Sequence, residues 1–324
     1  MPQPTLRKNP GDFSLRKLVT LSIAAGALVV LAGPASAGVA GVGGASIVGH
    51  SPYQPVSVGQ GYMPTIERFA QLRRRRNLPP GSNRVTYHGG PVLMTPQPVV
   101  ILWGFKSAGD PDGIAALYGK FAASYGSTTY ADIATQYFEL LSGKQTWPKI
   151  SKNGVIWEDN TNPIPANPSE TDVQNEAWRA AEHFNYANLS GNNYIVVSAY
   201  RHDPQGVFSK GECAHHRASE LGLLSLSYTN MPYMPDAGAS CGAYFIAPPS
   251  DESGLDEGQT IVTGHEYNES QSDPYLNAWF SSTGEEIGDL CAWQDIANDT
   301  FGKYSFTMQP EWSNVQNGCV HQRP

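Results

Sequence analysis

The hexapeptide Pro98-Val99-Val100-Ile101-Leu102-Trp103 sets the architecture of this chain. It is a short apolar run bounded by Pro98 and Gly104, a pattern typical of a strand buried in a sheet. A second run of the same kind, Asn193-Tyr194-Ile195-Val196-Val197-Ser198, follows later in the chain. The chain therefore contains at least two buried strands, with room for helices between them.

Apolar residues at helical and alternating spacing predict the remaining elements. Helices are predicted at 111–125, 129–142, 169–187 and 256–272, and further strands at 223–228 and 243–247. The third helix opens with Ser169, Glu170 and Asp172, which are favoured at a helix N-terminus. Alternation of strands and helices predicts an α/β or α+β fold, with one mixed-sheet domain and flanking helices.

Residues 1–37 have the pattern of a secretory signal peptide. Arg7, Lys8, Arg16 and Lys17 precede an apolar run from Leu18 to Leu31, and the segment ends in Ala35-Ser36-Ala37. A basic start, a short apolar centre and an Ala-x-Ala end define such a leader. The apolar run is shorter than the roughly 20 residues of a spanning helix, which argues against a stable membrane anchor. We expect a secreted protein.

Residues 38–83 are rich in glycine, proline, serine and valine, and we expect a linker or propeptide without a core of its own. The folded domain is predicted to span 84–324. A dense basic run, Arg73-Arg74-Arg75-Arg76, lies in the linker. It fits a solvated patch, a processing site at the end of a propeptide, or a contact with a cell wall or membrane surface.

The charge balance limits the class of partner. Residues 1–37 carry four basic residues and one acidic residue, so their removal changes the formal net charge from −8 to −11. Nucleic acid is bound through clustered lysine and arginine. An acidic chain of this kind is predicted not to bind nucleic acid.

The four cysteines are Cys213, Cys241, Cys291 and Cys319. An even number in an exported chain favours disulfides, and sequential pairing would close two loops of similar length. Three connectivities are possible. No two cysteines have the C-x-x-C spacing of a zinc site.

The segment His265-Glu266-Tyr267-Asn268-Glu269 carries the clearest chemical signal. Residues four apart lie on one face of a helix, so His265 and Glu269 are predicted to bind one cation. Glu266 is then placed to act as general base toward a water on that cation, as in the H-E-x-x-H zinc motif. Zinc accepts carboxylate oxygen beside imidazole nitrogen. The competing interpretation is a solvated acidic helix face.

Three downstream carboxylates are candidates for the remaining ligand: Asp273, Glu286 and Asp289. Glu286 and Asp289 follow glycines that predict a tight loop. In an alternative interpretation, either carboxylate does not bind the metal and instead orients the ring of His265 through a hydrogen bond. Calcium is the competing ion, because hard oxygen ligands suit it better. Zinc is favoured over calcium, because calcium prefers oxygen ligands and His265 offers a nitrogen.

Adjacent His215 and His216 form a second cluster with Cys213. Neighbouring side chains in an extended segment point to opposite faces, so at most one of them is expected to reach a given metal. The alternative is an exposed loop with one histidine packed locally.

Other chemistries find less support in the sequence. There is no Gly-x-Ser-x-Gly elbow, and Ser240 lies beside a cysteine, which argues against a serine hydrolase. No phosphate-binding glycine loop lies in the folded region. A glycoside hydrolase needs two carboxylates and aromatic platforms, and Glu266 with Glu286 is the candidate pair.

The stretch Tyr87-His88-Gly89-Gly90-Pro91-Val92-Leu93, followed by the strand that ends at Trp103-Gly104, resembles the start of the secreted EXORDIUM or phosphate-induced protein 1-like family, known chiefly from plants. Cys213-Ala214-His215 and Cys241-Gly242-Ala243-Tyr244 are similar to cysteine segments of that family. The resemblance spans roughly residues 87 to 291. It implies an extracellular, growth-associated protein without an assigned reaction.

Together these patterns predict a secreted, zinc-dependent peptidase-like hydrolase that acts on an extracellular protein or peptide. The alternative is a non-enzymatic extracellular or wall-associated protein with a structural calcium or no metal. A glycoside hydrolase is the third possibility.

Overall fold

The computed structural model describes residues 61–75, 84–246 and 251–323. All of these residues belong to one compact unit. The predicted signal peptide and most of the predicted linker lie outside the described residues.

The helices are α1 (Ile66–Arg75), α2 (Phe105–Ala108), α3 (Ile114–Tyr125), α4 (Glu170–His183) and α5 (Glu257–Ser272). The strands are β1 (Tyr62–Pro64), β2 (Thr86–Tyr87), β3 (Gln97–Trp103), β4 (Glu139–Leu141), β5 (Lys144–Thr146), β6 (Val155–Asp159), β7 (Asn192–Ser198), β8 (Glu212–Leu221), β9 (Leu224–Met231), β10 (Trp279–Phe280), β11 (Ala297–Phe301), β12 (Tyr304–Met308), β13 (Glu311–Ser313) and β14 (Gly318–Val320). Short 3-10 helices include Ala131–Gln136, Gly254–Asp256 and Asp289–Cys291.

A six-stranded mixed sheet, in the order β1-β8-β9-β7-β3-β6, forms the centre of the fold. Strands β6, β3, β7 and β9 are parallel, while β8 and β1 are added antiparallel at one edge. Two-stranded sheets, such as the β11–β12 hairpin, surround it. The predicted mixed α/β architecture is confirmed.

Both faces of the central sheet are covered, which explains why β3 is apolar along its length. Val100 and Leu102 pack into a core with α3 and α5. Ile101 and Trp103 point the other way, into a core with α4. Helix α4 begins at the predicted cap, because the hydroxyl of Ser169 accepts the N–H of Asp172.

Helix α5 is buried over all of its residues although most of them are polar. It contacts β8 and β9 on one side and β12 on the other. Several of its polar side chains form hydrogen bonds inside the protein: Gln259 donates to the hydroxyl of Tyr118, and Tyr267 and Ser151 share a hydrogen bond. A buried helix of this composition is uncommon among soluble proteins, where polar residues face solvent.

Two sequence predictions are wrong. The helix predicted at 129–142 is a 3-10 helix over Ala131–Gln136 followed by the β4–β5 hairpin. The hairpin turns at Ser142-Gly143, both with positive φ, which is the conformation of a tight two-residue turn. The strand predicted at 243–247 is absent from its described part, 243–246, where Tyr244 has a φ of 57° that an extended strand excludes.

The segment predicted as a linker or propeptide contributes to the sheet. Strand β1 pairs with β8, and the side chain of Met63 is fully buried in the main core. Ile66 and Phe69 of α1, three residues apart, pack against the same core. The folded unit therefore begins before Arg84, because these three apolar side chains find a place on the sheet.

The two disulfides follow the sequential connectivity, Cys213 with Cys241 and Cys291 with Cys319, each with a sequence separation of 28. They fit a protein of an oxidising compartment. Within the described residues no helix combines the length and the apolar character that a membrane crossing needs.

Candidate metal centre

Helix α5 places the three predicted residues of its motif as helical spacing requires. The Nε2 atom of His265 lies 3.2 Å from Oε1 of Glu269, one turn further along the helix. Glu266 lies on the neighbouring face, toward the sheet edge formed by β8 and β1. All three side chains are fully buried, so the predicted alternative of a solvated acidic helix face is wrong.

The loop after β10 brings two of the three candidate carboxylates to the helix. Asp289 Oδ1 lies 3.9 Å from His265 Nε2, and the backbone N–H of Asp289 donates to Glu269 Oε1 at 2.9 Å. The N–H of Glu286 donates to Asp289 Oδ2, which closes a tight turn. Gly288 permits this approach, because a Cβ there would lie 2.7 Å from His265 Nδ1.

Strand β8 supplies a second histidine. His216 Nδ1 lies 3.2 Å from Glu266 Oε2 and 3.6 Å from Glu269 Oε2. The other ring nitrogen, Nε2, lies 3.6 Å from Glu286 Oε1. The imidazole of His216 thus sits among three carboxylates, and its side chain is fully buried.

His215 points to the opposite face of β8, where its Nε2 lies 2.9 Å from Glu170 Oε2 at the start of α4. Of the two adjacent histidines, His216 faces the cluster and His215 faces away from it, as alternation along a strand predicts. The competing expectation of an exposed loop is wrong, because both residues are buried in a ten-residue strand.

The carboxylate of Asp273 has a structural task at the end of α5. Its Oδ1 accepts the N–H groups of Asn277 and Ala278, each at 2.6 Å. Its backbone carbonyl lies 3.3 Å from His216 Nε2. Asp273 therefore shapes the turn after the helix, and the carboxylates of Glu266, Glu269, Glu286 and Asp289 lie within 4 Å of a ring nitrogen of His216 or His265.

Several atoms of this cluster have no hydrogen-bond partner within the part of the chain that the structure describes. They are His265 Nε2, Glu269 Oε2, both carboxylate oxygens of Glu286, and Glu311 Oε2. A buried polar atom without a partner costs about 1–3 kcal/mol, and more when it is charged. Several such atoms lie in one region, where two groups of these residues could hold a metal ion.

Burial and mutual repulsion raise the pKa values of two carboxylic acids of the cluster. Burial raises the pKa of Glu286 well above its ordinary value, and the charges of Glu269, Asp273 and Asp289 add to the rise. Burial also raises the pKa of Asp289 well above its ordinary range, with a further contribution from Glu269.

The helix motif itself behaves as a charged pair. Burial lowers the pKa of His265, but the carboxylates of Glu269, Glu266 and Asp289 outweigh this effect and raise it to about 10. Burial raises the pKa of Glu269, yet its pKa is lowered overall, first by His265 and then by His216. In the absence of a cation, a proton on His265 therefore partly offsets the negative charge.

Three further residues complete the surroundings and had no signal in the sequence. The side-chain amide of Gln309 lies 3.0 Å from His265 Nδ1 and donates to the carbonyl of Gly288. Glu311 is fully buried, and the hydroxyl of Tyr130 lies 3.0 Å from its Oε1. Gln309 and Glu311 directly follow β12, so they reach the cluster because β12 packs along α5.

The carboxylate of Glu266, the candidate general base, accepts a hydrogen bond from strand β1. The backbone N–H of Met63 donates to Glu266 Oε1 at 2.8 Å. A small cleft beside β1, lined by Tyr62, Pro64 and Asp289 among others, leads from the surface to the edge of the cluster. Asp289 thus lines this cleft, whereas Glu266 lies under the strand.

The donor set limits the choice of ion. Two groups of three residues each offer ligand atoms within 4.8 Å of one another: His216, Glu269 and Glu286, and His265, Glu269 and Asp289. One imidazole and two carboxylates suit zinc or a similar transition metal. Calcium prefers six to eight oxygen ligands and gains little from either histidine.

Comparison with protein-family models, with curated proteins and with solved structures found no match to this chain. The resemblance to the EXORDIUM-like family therefore rests on the residues quoted for it. The fold and the buried centre are the basis for assigning a function.

Proposed function

We propose that this chain is a secreted, zinc-dependent hydrolase that acts on peptide bonds of extracellular proteins or peptides. The observation that carries the proposal is the group of unpartnered, buried ligand atoms around His265 and Glu269, with Glu266 on the next face of the same helix. The disulfides fit the oxidising compartment that secretion implies.

Bound zinc would polarise the substrate carbonyl and lower the pKa of a coordinated water. His265, Glu269 and a carboxylate of the 286–289 turn hold the ion in this proposal. For Nε2 of His265 to bind it, the ring proton must sit on Nδ1. Gln309 places its amide nitrogen at Nδ1, so zinc binding requires this amide to turn over and to give up its hydrogen bonds with the carbonyl of Gly288 and the N–H of Trp293. Glu266 would serve as the general base that accepts a proton from this water and returns it to the leaving amine, which requires release of Oε1 from the N–H of Met63 or of Oε2 from His216.

The test is a pair of measurements on the full secreted chain and on Glu266→Gln. We expect cleavage of an unstructured polypeptide to stop when a chelator is added and to fall at least about 100-fold in the variant, as for loss of a general base. Zinc content should stay unchanged, because Glu266 is not in either three-residue group. Equal cleavage by both proteins would contradict the assignment of Glu266.

Burial favours a second candidate, a non-enzymatic extracellular protein with a structural ion. His216, His265, Glu269 and Glu286 are all inaccessible, and both oxygens of Glu266 are hydrogen-bonded. A structural ion needs no open position. In that case chelation would lower the melting temperature sharply, and no cleavage would be seen in either protein.

A further inference from the structure

We propose that the centre holds two divalent cations, bridged by the carboxylate of Glu269. This inference rests on the proposed function only in requiring that the cluster binds metal. It concerns the number of ions and the residue that each one uses.

Glu269 directs its two oxygens at two different histidines. Oε1 lies 3.2 Å from His265 Nε2, while Oε2 lies 3.6 Å from His216 Nδ1. The two imidazoles come from different elements, α5 and β8, and reach the carboxylate from different sides. A carboxylate placed in this way has the arrangement of a bridging ligand, with one oxygen for each ion.

Each histidine has a second carboxylate of its own. Asp289 Oδ1 lies 3.9 Å from His265 Nε2, and Glu286 Oε1 lies 3.6 Å from His216 Nε2. Each group thus offers one ring nitrogen and one carboxylate oxygen of its own beside an oxygen of the shared Glu269, all within 4.8 Å of one another. His216 faces Glu269 through Nδ1 and Glu286 through Nε2, and one of these nitrogens is the ligand. The two groups are equivalent in donor type, so both suit the same kind of ion.

Four of the five unpartnered atoms of the cluster are divided between the groups, and the fifth, Glu311 Oε2, belongs to neither. His265 Nε2 belongs to one group, and Glu269 Oε2 with both oxygens of Glu286 belongs to the other. A single cation at either position would leave the unpartnered atoms of the other position buried. Two cations give every one of these four atoms a partner, which removes the cost of burying them.

The number of negative charges at the centre also favours two ions over one. Besides Asp273, whose carboxylate accepts two backbone N–H groups, five buried carboxylates lie at the centre: Glu266, Glu269, Glu286, Asp289 and Glu311. Among the residues described, their ion-pair contacts are with His216 and His265, and none is with lysine or arginine. One divalent ion offsets two of the five charges, whereas two ions offset four.

The experiment is elemental mass spectrometry of the full secreted chain, loaded with zinc and freed of loosely bound metal. We expect two zinc ions per chain in the wild type and one in each of Glu286→Gln and Asp289→Asn. Glu269→Gln should weaken both sites. The control is Glu139→Gln, a buried carboxylate that accepts the N–H of Val92 away from the cluster, and it should keep both ions.

A titration of the metal-freed wild type with Co²⁺ avoids any folding defect of the variants, and its absorption should saturate at two equivalents. One ion in the wild type, lost alike in Glu286→Gln and Asp289→Asn, would overturn the inference. If Glu266-dependent cleavage is still present, the proposed function survives that result. Two ions without any cleavage would support the inference and sink the proposed function, and no metal at all would sink both.

Discussion

His215 and His216 are neighbours in the sequence with separate surroundings. Alternation along β8 sends His215 to Glu170 of α4 and His216 to the cluster on α5. This pair therefore provides a matched comparison, because both side chains are buried and differ mainly in what they face.

We predict that His216→Ala weakens zinc binding more than the roughly 10–100-fold typical for loss of an outer partner, because a ligand is removed. His215→Ala should change zinc affinity by less than about threefold. Competition with a chromophoric chelator measures both. Similar losses in the two variants would mean that His216 acts through the fold alone.

At the scale of elements, α5 has space for no larger side chain at Gly264. A Cβ there would lie 2.5 Å from Met308 Cε and 2.9 Å from the hydroxyl of Tyr130. The methionine methyl group can turn aside, but the hydroxyl is hydrogen-bonded to the carbonyl of Gln309. Helix α5 and the chain around Met308 and Gln309 are therefore so close at Gly264 that a side chain larger than hydrogen does not fit between them.

We predict that Gly264→Ala lowers the free energy of unfolding by about 1–3 kcal/mol, the usual cost of overpacking a core. Gly119 in α3 is the control, since it is exposed and a Cβ there meets no atom within 4 Å. Gly119→Ala should raise stability by about 0.5–1 kcal/mol through helix propensity. Urea unfolding of both variants measures these changes, and a neutral Gly264→Ala would contradict the packing argument.

Elements with a strong local pattern were predictable from the sequence, and their neighbours were not. Apolar continuity identified β3 and β7, and the motif with its spacing identified α5 and the His265–Glu269 pair. Strand β1 was missed, because three residues between glycine and threonine carry no periodic signal. Glu311 was missed as well, since its place beside the cluster is set by long-range packing.

At the scale of the whole molecule, the second core carries a buried acid that makes stability depend on pH. Burial raises the pKa of Glu176 to about 8, although Arg179 acts in the opposite direction. The unfolded chain releases this proton near the ordinary glutamate pKa of about 4.3, while the folded protein keeps it. The folded state therefore binds more protons in this range, and stability falls as pH rises from about 4.5 to about 8.

We predict that Glu176→Gln removes this contribution, which is at most about 1.4 kcal/mol per pH unit. The difference in unfolding free energy between variant and wild type should therefore grow from pH 5 to pH 8. Denaturant unfolding at several pH values provides the measurement. Exposed Glu220→Gln serves as the control and should leave the slope unchanged. Parallel curves for Glu176→Gln and wild type would refute the prediction.

The hydrogen bond from Met63 to Glu266 joins residues 203 positions apart, and the contact of Tyr130 with Glu311 spans 181. The ribosome synthesises the chain from its N-terminus. Strand β1 is therefore made long before its partner on α5. Contacts of such long separation close late, because the loop entropy must be overcome first. The cluster on α5 is thus complete only after the chain has been synthesised past Glu311, and a shorter chain lacks part of it.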